Sequence, residues 1–542
     1  MLSTVSCWIL HCVKNEVVCM RGQHRMYTRC LSPNNNSSSS SSSSVKRKRT
    51  KLLSSSSQIG LSGTNNSVFS MQNVFRHSSL QFQLTAVQIN RILRANEQSV
   101  KIPEFDGKNL NPVLKFESNQ LPANSPNEDR RSAATCLQTK GMMFGVFDGH
   151  AGYACAQAVS ERLFYYIAVA LMSQKNLEEI EFAMEHVKPV LPILQWYKPP
   201  NHYIYRESAS LYLDHLRVFW QELIDHDNAE GMSTGDSLAY AFKRLDSDIS
   251  LEAQVPLDND IMRNMAIQVA FAGSTACVAH VDNIDLHVAN SGDCRAVLGV
   301  QEEDGSWSSL PLTHDHNALN PSELARVRSE HPKLEENTVV TGNRLLGLLM
   351  PFRAFGDVCF KWSKELQQSI LENGFDLETL DIYHYAPPNY LTPPYLTVDP
   401  ELTYHKLRPQ DKFLILATDG LWDMLSNDEA VRLVAEHLTG IHLEEPVAAS
   451  ERQVKLGQMH SLLLKRRARA VPSRDPNVAT HLIRHSIGTN EYGEIEQVQL
   501  AAMMSLPEDL TRMYRDDITV TVVYFNSDLI KAHYKENNLR FL

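Results

Sequence analysis

Met142-Met143-Phe144-Gly145-Val146-Phe147-Asp148-Gly149-His150 reads as a buried strand that runs straight into chemistry. The apolar run has the length of a strand, and it meets an acid, a glycine and a histidine. A strand end is rigid, so Asp148 can hold a hard cation without a flexible stem. Gly149 lets the backbone turn sharply and brings its carbonyl toward the same ion. His150 adds a group that exchanges a proton near neutral pH. An Asp-Gly after a strand is by itself usually a turn, so its weight depends on other carboxylates arriving in the same setting.

They do. Lys412-Phe413-Leu414-Ile415-Leu416-Ala417-Thr418 is a second strand of the buried type, ending at Asp419-Gly420. Asp516-Asp517 opens the β-rich run Ile518-Thr519-Val520-Thr521-Val522-Val523-Tyr524-Phe525, and Asn127-Glu128-Asp129 precedes the segment leading to the first strand. Ser291-Gly292-Asp293 turns between residues 284–289 and 295–298. Carboxylates gathered at strand edges, with no nearby set of Cys and His ligands, suit an oxygen-rich site for Mg2+ or Mn2+ rather than zinc.

The ordered set Glu128-Asp129, Asp148-Gly149-His150, Gly273-Ser274-Thr275, Ser291-Gly292-Asp293, Arg353-Ala354-Phe355-Gly356-Asp357, Asp419-Gly420 and Asp516-Asp517 resembles the metal-dependent (type 2C) protein phosphatases over about residues 105 to 526. Within that family, Ser118-Asn119-Gln120-Leu121-Pro122-Ala123-Asn124, Arg130-Arg131-Ser132-Ala133-Ala134-Thr135, Leu346-Gly347-Leu348-Leu349-Met350-Pro351-Phe352 and Arg408-Pro409-Gln410-Asp411-Lys412 are similar to the pyruvate dehydrogenase phosphatase branch. The resemblance implies an α+β fold, a central antiparallel β-sandwich flanked by helix pairs on both faces. It also implies hydrolysis of phosphoserine or phosphothreonine esters by two divalent ions, which activate water and neutralise the phosphoryl group. By position, Asp148 would bridge the two ions and Asp419 and Asp516 would complete one shell. Glu128 and the Gly149 carbonyl would serve the other, and Asp293 matches a residue associated with a third, weaker ion. Asp129 would orient the attacking water, and His150 matches the proposed general acid. None of the five cysteines of the body (Cys136, Cys155, Cys277, Cys294 and Cys359) opens a Cys-x5-Arg motif, which argues against a thiol phosphatase.

One position departs from the family pattern. An Arg usually stands four residues before the Glu of the Glu-Asp pair and grips the substrate phosphate; here the residue is Asn124. A neutral amide cannot make the charged, two-pronged contact, so phosphate anchoring is expected to fall to the metals, to Arg130 or Arg131, or to docking remote from the site. The same departure marks the pyruvate dehydrogenase phosphatase branch. The partners the resemblance implies are the phosphorylated pyruvate dehydrogenase α subunit, a lipoyl domain of the acetyltransferase docked with Ca2+, and a FAD-containing regulatory subunit.

Charge is split along the chain. Residues 1–96 hold twelve Lys or Arg and one acid, Glu16, leaving 40 basic and 62 acidic residues in 97–542, a balance of −22. An acidic body argues against non-specific nucleic-acid binding. Cys136, Cys155, Cys277, Cys294 and Cys359 show no close pairing, which fits a reducing compartment without a disulfide framework. The longest apolar run, 163–172, falls short of the ~20 residues that cross a bilayer.

The leader is basic, acid-poor and serine-rich, with the run Ser37–Ser44, as in an organelle transit peptide. With the branch resemblance this predicts a mitochondrial matrix protein: residues 1–80 a transit peptide and linker, 84–526 the catalytic domain with insertions, and 527–542 a C-terminal tail. The cluster Lys46–Lys51 keeps a nuclear or cytosolic phosphatase open as an alternative. A pseudophosphatase that only binds partners is the other, but such proteins usually lose metal carboxylates, and all are present here. Helices are expected at 85–93, 153–172, 207–225, 237–250 and 428–438, and a hairpin at 276–289 turning on Asp282-Asn283. The surplus length falls at 189–206, 386–395 and 464–474, read as surface insertions.

Overall fold

The predicted strand at Met142–Phe147 forms, and both of its faces are covered. In the computed structural model Met142, Phe144 and Val146 join one hydrophobic cluster while Met143 and Phe147 join another, as period-two alternation dictates. The structure describes residues 84–103, 111–198, 209–225, 232–255, 260–371, 387, 389–440, 475–490 and 493–539. All of them lie in one unit of the chain. The leader, the Lys46–Lys51 cluster, residues 199–206 and the basic stretch 464–474 lie outside the described residues.

Twelve strands build two six-stranded antiparallel sheets among the described residues. They are β1 (Gln98–Lys101), β2 (Val113–Leu121), β3 (Arg130–Cys136), β4 (Met142–Phe147), β5 (Leu194–Trp196), β6 (Ala276–Asp282), β7 (Asp285–Ser291), β8 (Arg295–Gln301), β9 (Trp307–Pro311), β10 (Glu401–Lys406), β11 (Asp411–Ala417) and β12 (Ile518–Phe525). One sheet has the order β1-β2-β12-β11-β8-β9, the other β10-β7-β6-β4-β3-β5. The hairpin β6–β7 turns at Asp282-Asn283, with Asn283 at φ 56°, a left-handed conformation that Asn tolerates.

Phe116, Leu298, Leu414, Leu416 and Val523 of the first sheet pack with Phe144, Val146, Ala279 and Leu286 of the second to fill the sandwich. The outer face of the first sheet (Ile415, Val520, Val522) is covered by α1 (Ala86–Leu93), α6 (Asn427–Thr439) and α7 (Val478–Gly488). The outer face of the second (Met143, Phe147, Val278) is covered by α2 (Ala154–Ala170), α3 (Ala209–Asp225), α4 (Thr234–Gln254) and α5 (Asp260–Phe271). Strands buried on both sides read as continuous apolar runs, and each large side chain so enclosed contributes roughly 1.5–3 kcal/mol. No helix among the described residues is long and apolar enough to cross a membrane.

Two stretches expected to be surface insertions are instead built into the body. Leu194–Trp196 pairs with β3 as an edge strand, and Trp196 stacks on Phe164 with ring centroids 5.5 Å apart. Tyr390 and Tyr395 are 1% exposed and fill a separate small core with Val327, Leu345 and Phe352. Beyond residue 526, α8 (Ser527–Leu539) is helical and Ile530 is buried in the sandwich core.

Candidate active site

The acids expected to meet do so at one edge of the sandwich, because close backbone packing leaves them nowhere else to go. A Cβ on Gly149 would lie 2.4 Å from the Glu128 carbonyl oxygen, and one on Gly420 would lie 2.0 Å from that of Asp517. Only glycine allows the turn after β4 to touch the 122–128 loop and the turn after β11 to touch the start of β12. Asp148 and Asp419 are thereby carried toward Glu128 and Asp516. Gly292, at φ +114°, sits on Thr275 and turns Asp293 into the same cluster. That turn is braced by Gly292 N donating to His316 Nδ1 at 3.1 Å and His316 N donating to the Gly292 carbonyl at 3.0 Å.

Electrostatics expose what the cluster lacks. Burial, and then the charges of Asp419, Asp129, Asp293 and Asp516, push the Asp148 carboxyl well above the usual range. Asp419 rises to about 7, through burial and then Asp516 and Asp423. Asp129 and Asp293 are raised by burial first and neighbouring acids second, and Glu128 and Asp516 by burial despite the opposing charge of Arg512. Asp129 Oδ1 and Asp419 Oδ1 are buried without a hydrogen-bond partner. Self-repelling carboxylates with orphaned oxygens want divalent countercharge, and an all-oxygen donor set fits Mg2+ or Mn2+. The fit is one of donor chemistry and charge: among the described residues no three of these side chains already form a closed cation cage.

Asp129 is held for work at its free oxygen, because Thr418 Oγ1 donates to Asp129 Oδ2 at 2.9 Å and itself accepts from Thr519 N at 3.0 Å. His150 is oriented by a residue not singled out from sequence as part of the site. His150 Nε2 lies 2.5 Å from Asp357 Oδ2. A ribbon of two-residue strands, 149–150, 273–274 and 355–356, aligns them, and a Cβ on Gly273 would strike both side chains at 2.0 and 2.2 Å. Burial alone would lower the pKa of His150; the charge and hydrogen bond of Asp357, with Asp293 and Glu128 beyond, outweigh it and raise it.

The phosphate-holding candidates are placed otherwise than expected. Asn124 Nδ2 donates at 3.0 Å to both Glu128 Oε2 and Asp517 Oδ2, bracing two carboxylates. Asp517 accepts the backbone N–H groups of Ala123, Asn124 and Glu128 at 2.5, 2.8 and 2.8 Å, so it fastens the 122–128 loop while Asp516 faces the cluster. Arg130 donates to Gln157 at 2.5 Å and to the Asn127 and Asp129 carbonyls at 2.7 Å. Arg131 is buried, reaches the Asn96 carbonyl at 2.5 Å, and is pushed down to about 9 by burial. The strand alternates, so these neighbours project to opposite faces: the Arg130 guanidinium is taken up by protein acceptors, and that of Arg131 is buried, with Nε and Nη1 unpartnered, rather than presented to a substrate. The residue that sequence reasoning missed is Arg512, ion-paired with Asp516 four residues on, across the turn that follows a short helix; its closeness in sequence to that acid was the available signal.

A cluster of this kind at a sandwich edge defines a hydrolase of phosphate esters that works with divalent metal ions. Known proteins agree. The family model for protein phosphatase 2C matches residues 209–459. The mitochondrial pyruvate dehydrogenase (acetyl-transferring) phosphatase 2 of Homo sapiens is 56% identical, covering 99% of this chain and 100% of its own length. The corresponding phosphatase 1 of Homo sapiens is 59% identical over 84% of this chain and 85% of its own. A protein phosphatase 2C homolog of Schizosaccharomyces pombe is 30% identical over 81% and 85%. The chain belongs to the protein phosphatase 2C family, whose members depend on Mg2+ or Mn2+.

Proposed function

We propose that this chain is a mitochondrial matrix serine/threonine phosphatase that removes phosphate from the pyruvate dehydrogenase component of its complex and so reactivates it. The observation carrying the chemistry is the cluster of Asp148, Asp419, Asp516, Glu128, Asp129 and Asp293, self-repelling and with orphaned oxygens. The substrate and compartment are supported by the names and high identity of the human relatives.

When bound, two divalent ions would place positive charge on the phosphoryl group and make water a competent nucleophile. Asp148, Asp419, Asp516, Glu128 and the Gly149 carbonyl are the groups that would hold them. Asp129 uses its free Oδ1 to orient the incoming water. His150 keeps a proton because Asp357 stabilises the imidazolium, and Nδ1, the nitrogen Asp357 does not engage, is the one to deliver it to the departing serine oxygen. Water adds to phosphorus, the phosphorus–serine oxygen bond breaks, and the alkoxide leaves as a neutral hydroxyl. To the same proposal belong a third ion at Asp293, Ca2+-assisted docking on a lipoyl domain, and a FAD-containing regulatory partner; their support is the likeness to this branch. Phosphate release from phosphorylated pyruvate dehydrogenase complex with Mg2+ and varied Ca2+ tests the reading. Dependence on Mg2+ with acceleration by Ca2+ is expected, and release in EDTA would overturn it.

A further inference from the structure

We infer that Arg512 is the guanidinium that grips the substrate phosphate, supplied from the turn before β12 because position 124 no longer supplies one. The inference rests on the phosphatase reading above and assigns a substrate contact within it.

Position 124 is occupied with other work: both contacts of its side-chain nitrogen go to Glu128 and Asp517. Arg130 and Arg131 donate to protein carbonyls and to Gln157. Arg295, toward the Asp315 side of the cluster, is bidentate to Asp315 and also donates to Asn427. Arg512 differs in both place and exposure. Its Nη1 pairs with Asp516 and lies 4.0 Å from Glu128 Oε2, so the group stands between two acids of the cluster while its side chain is 45% exposed.

The backbone that carries it is tethered. Arg515 Nη2 donates to the Pro122 carbonyl at 2.7 Å, tying the 511–515 turn to the very loop that bears Asn124. A guanidinium offers five N–H donors in a rigid fork, and one edge spent on Asp516 leaves others for phosphoryl oxygens. A dianionic phosphate approaching an acidic cluster needs a cation at its rim, and Arg512 is one exposed to solvent there. The competing account is that Arg512 only aligns Asp516, and it predicts a loss of metal affinity rather than of phosphate affinity.

The experiment uses the full chain at saturating Mg2+, with wild type, Arg512→Ala and Arg512→Lys. It reads KM for a short phosphoserine peptide, product inhibition by inorganic phosphate, and Mg2+ affinity by calorimetry. Loss of a charge-assisted bidentate contact should raise the phosphate inhibition constant and the peptide KM by roughly 10- to 100-fold in Arg512→Ala. Lysine should recover part of this, and Mg2+ affinity should stay within about threefold. An inhibition constant unchanged within about twofold overturns the inference, as does Mg2+ affinity falling in step with phosphate affinity. Arg512→Lys keeps the test decisive if the alanine variant folds poorly. Failure of the wild type to hydrolyse the peptide would instead sink the phosphatase reading itself.

Discussion

His150 Nε2 and Asp357 Oδ2 lie 2.5 Å apart although 207 residues separate them in sequence. The pair sits over Gly273, where any side chain would collide with it. Asp357 also adopts a left-handed backbone at φ 49°, a conformation that costs a non-glycine residue energy and is kept only where the surroundings enforce it. Enforcement comes from Asp246, which accepts from Gly356 N at 2.9 Å and from Lys361 Nζ at 2.8 Å. The tail of the Arg353–Asp357 motif is thus a device for holding an imidazolium.

Asp357→Asn should therefore convert His150 from a proton holder to an ordinary buried imidazole. Its pKa is raised in the native enzyme, so activity that needs the protonated form falls as pH rises through that value. Removing the carboxylate moves the fall to lower pH. The profile of kcat/KM on a phosphoserine peptide should show this shift, with a loss on the order of 100-fold near pH 7.5, while nitrophenyl phosphate, whose leaving group needs no proton, loses far less. An unmoved alkaline limb would show that Asp357 does not tune His150.

Asn124→Ala should weaken metal binding rather than phosphate binding, because its amide braces Glu128 and Asp517. The expected change is a Mg2+ requirement raised about tenfold, the scale of losing a supporting group behind a ligand, with the phosphate inhibition constant held at saturating Mg2+. A Mg2+ titration identical to wild type would leave Asn124 without that role.

Glu323→Gln should test how the motif is anchored. Arg353 is bidentate to Glu323 at 2.9 and 2.8 Å, and Arg326 bonds the same carboxylate. Burial opposes the charged form, but these two arginines overcome it and hold the carboxyl at about 2. A depressed folded-state pKa contributes stability that is full above the unfolded value and is lost as pH falls toward the folded one. The stability gap between wild type and variant, about 2–3 kcal/mol at most, should be constant from pH 7 to 5 and narrow by pH 3.5 in urea unfolding. A gap that widens in acid would contradict the assignment.

Much of this site was legible in sequence because strand and acid are contiguous there: Met142–Asp148 and Lys412–Asp419 carry fold and ligand in one stretch. Helices at Ala154–Ala170 and Asn427–Thr439 and the turn at Asp282-Asn283 were legible through periodicity and turn chemistry. Leu194–Trp196 was not, since a three-residue edge strand beside prolines has no period to read. The buried Tyr390 and Tyr395 were hidden because composition does not say which aromatic residues find a core. Arg131 was misplaced because its direction depends on strand parity, and Arg512 was overlooked because its partnership with Glu128 is purely tertiary.

The central claim is that Asp148 and its neighbours assemble a metal-dependent phosphatase acting on pyruvate dehydrogenase. Its most direct test is radiolabelled phosphate release from intact phosphorylated pyruvate dehydrogenase complex by purified wild type and Asp148→Asn at saturating Mg2+, with and without EDTA. The account predicts release by the wild type that EDTA abolishes, and a folded variant reduced to well below about a tenth of the wild-type rate. Release that survives EDTA, or a variant that keeps more than that tenth, would contradict it.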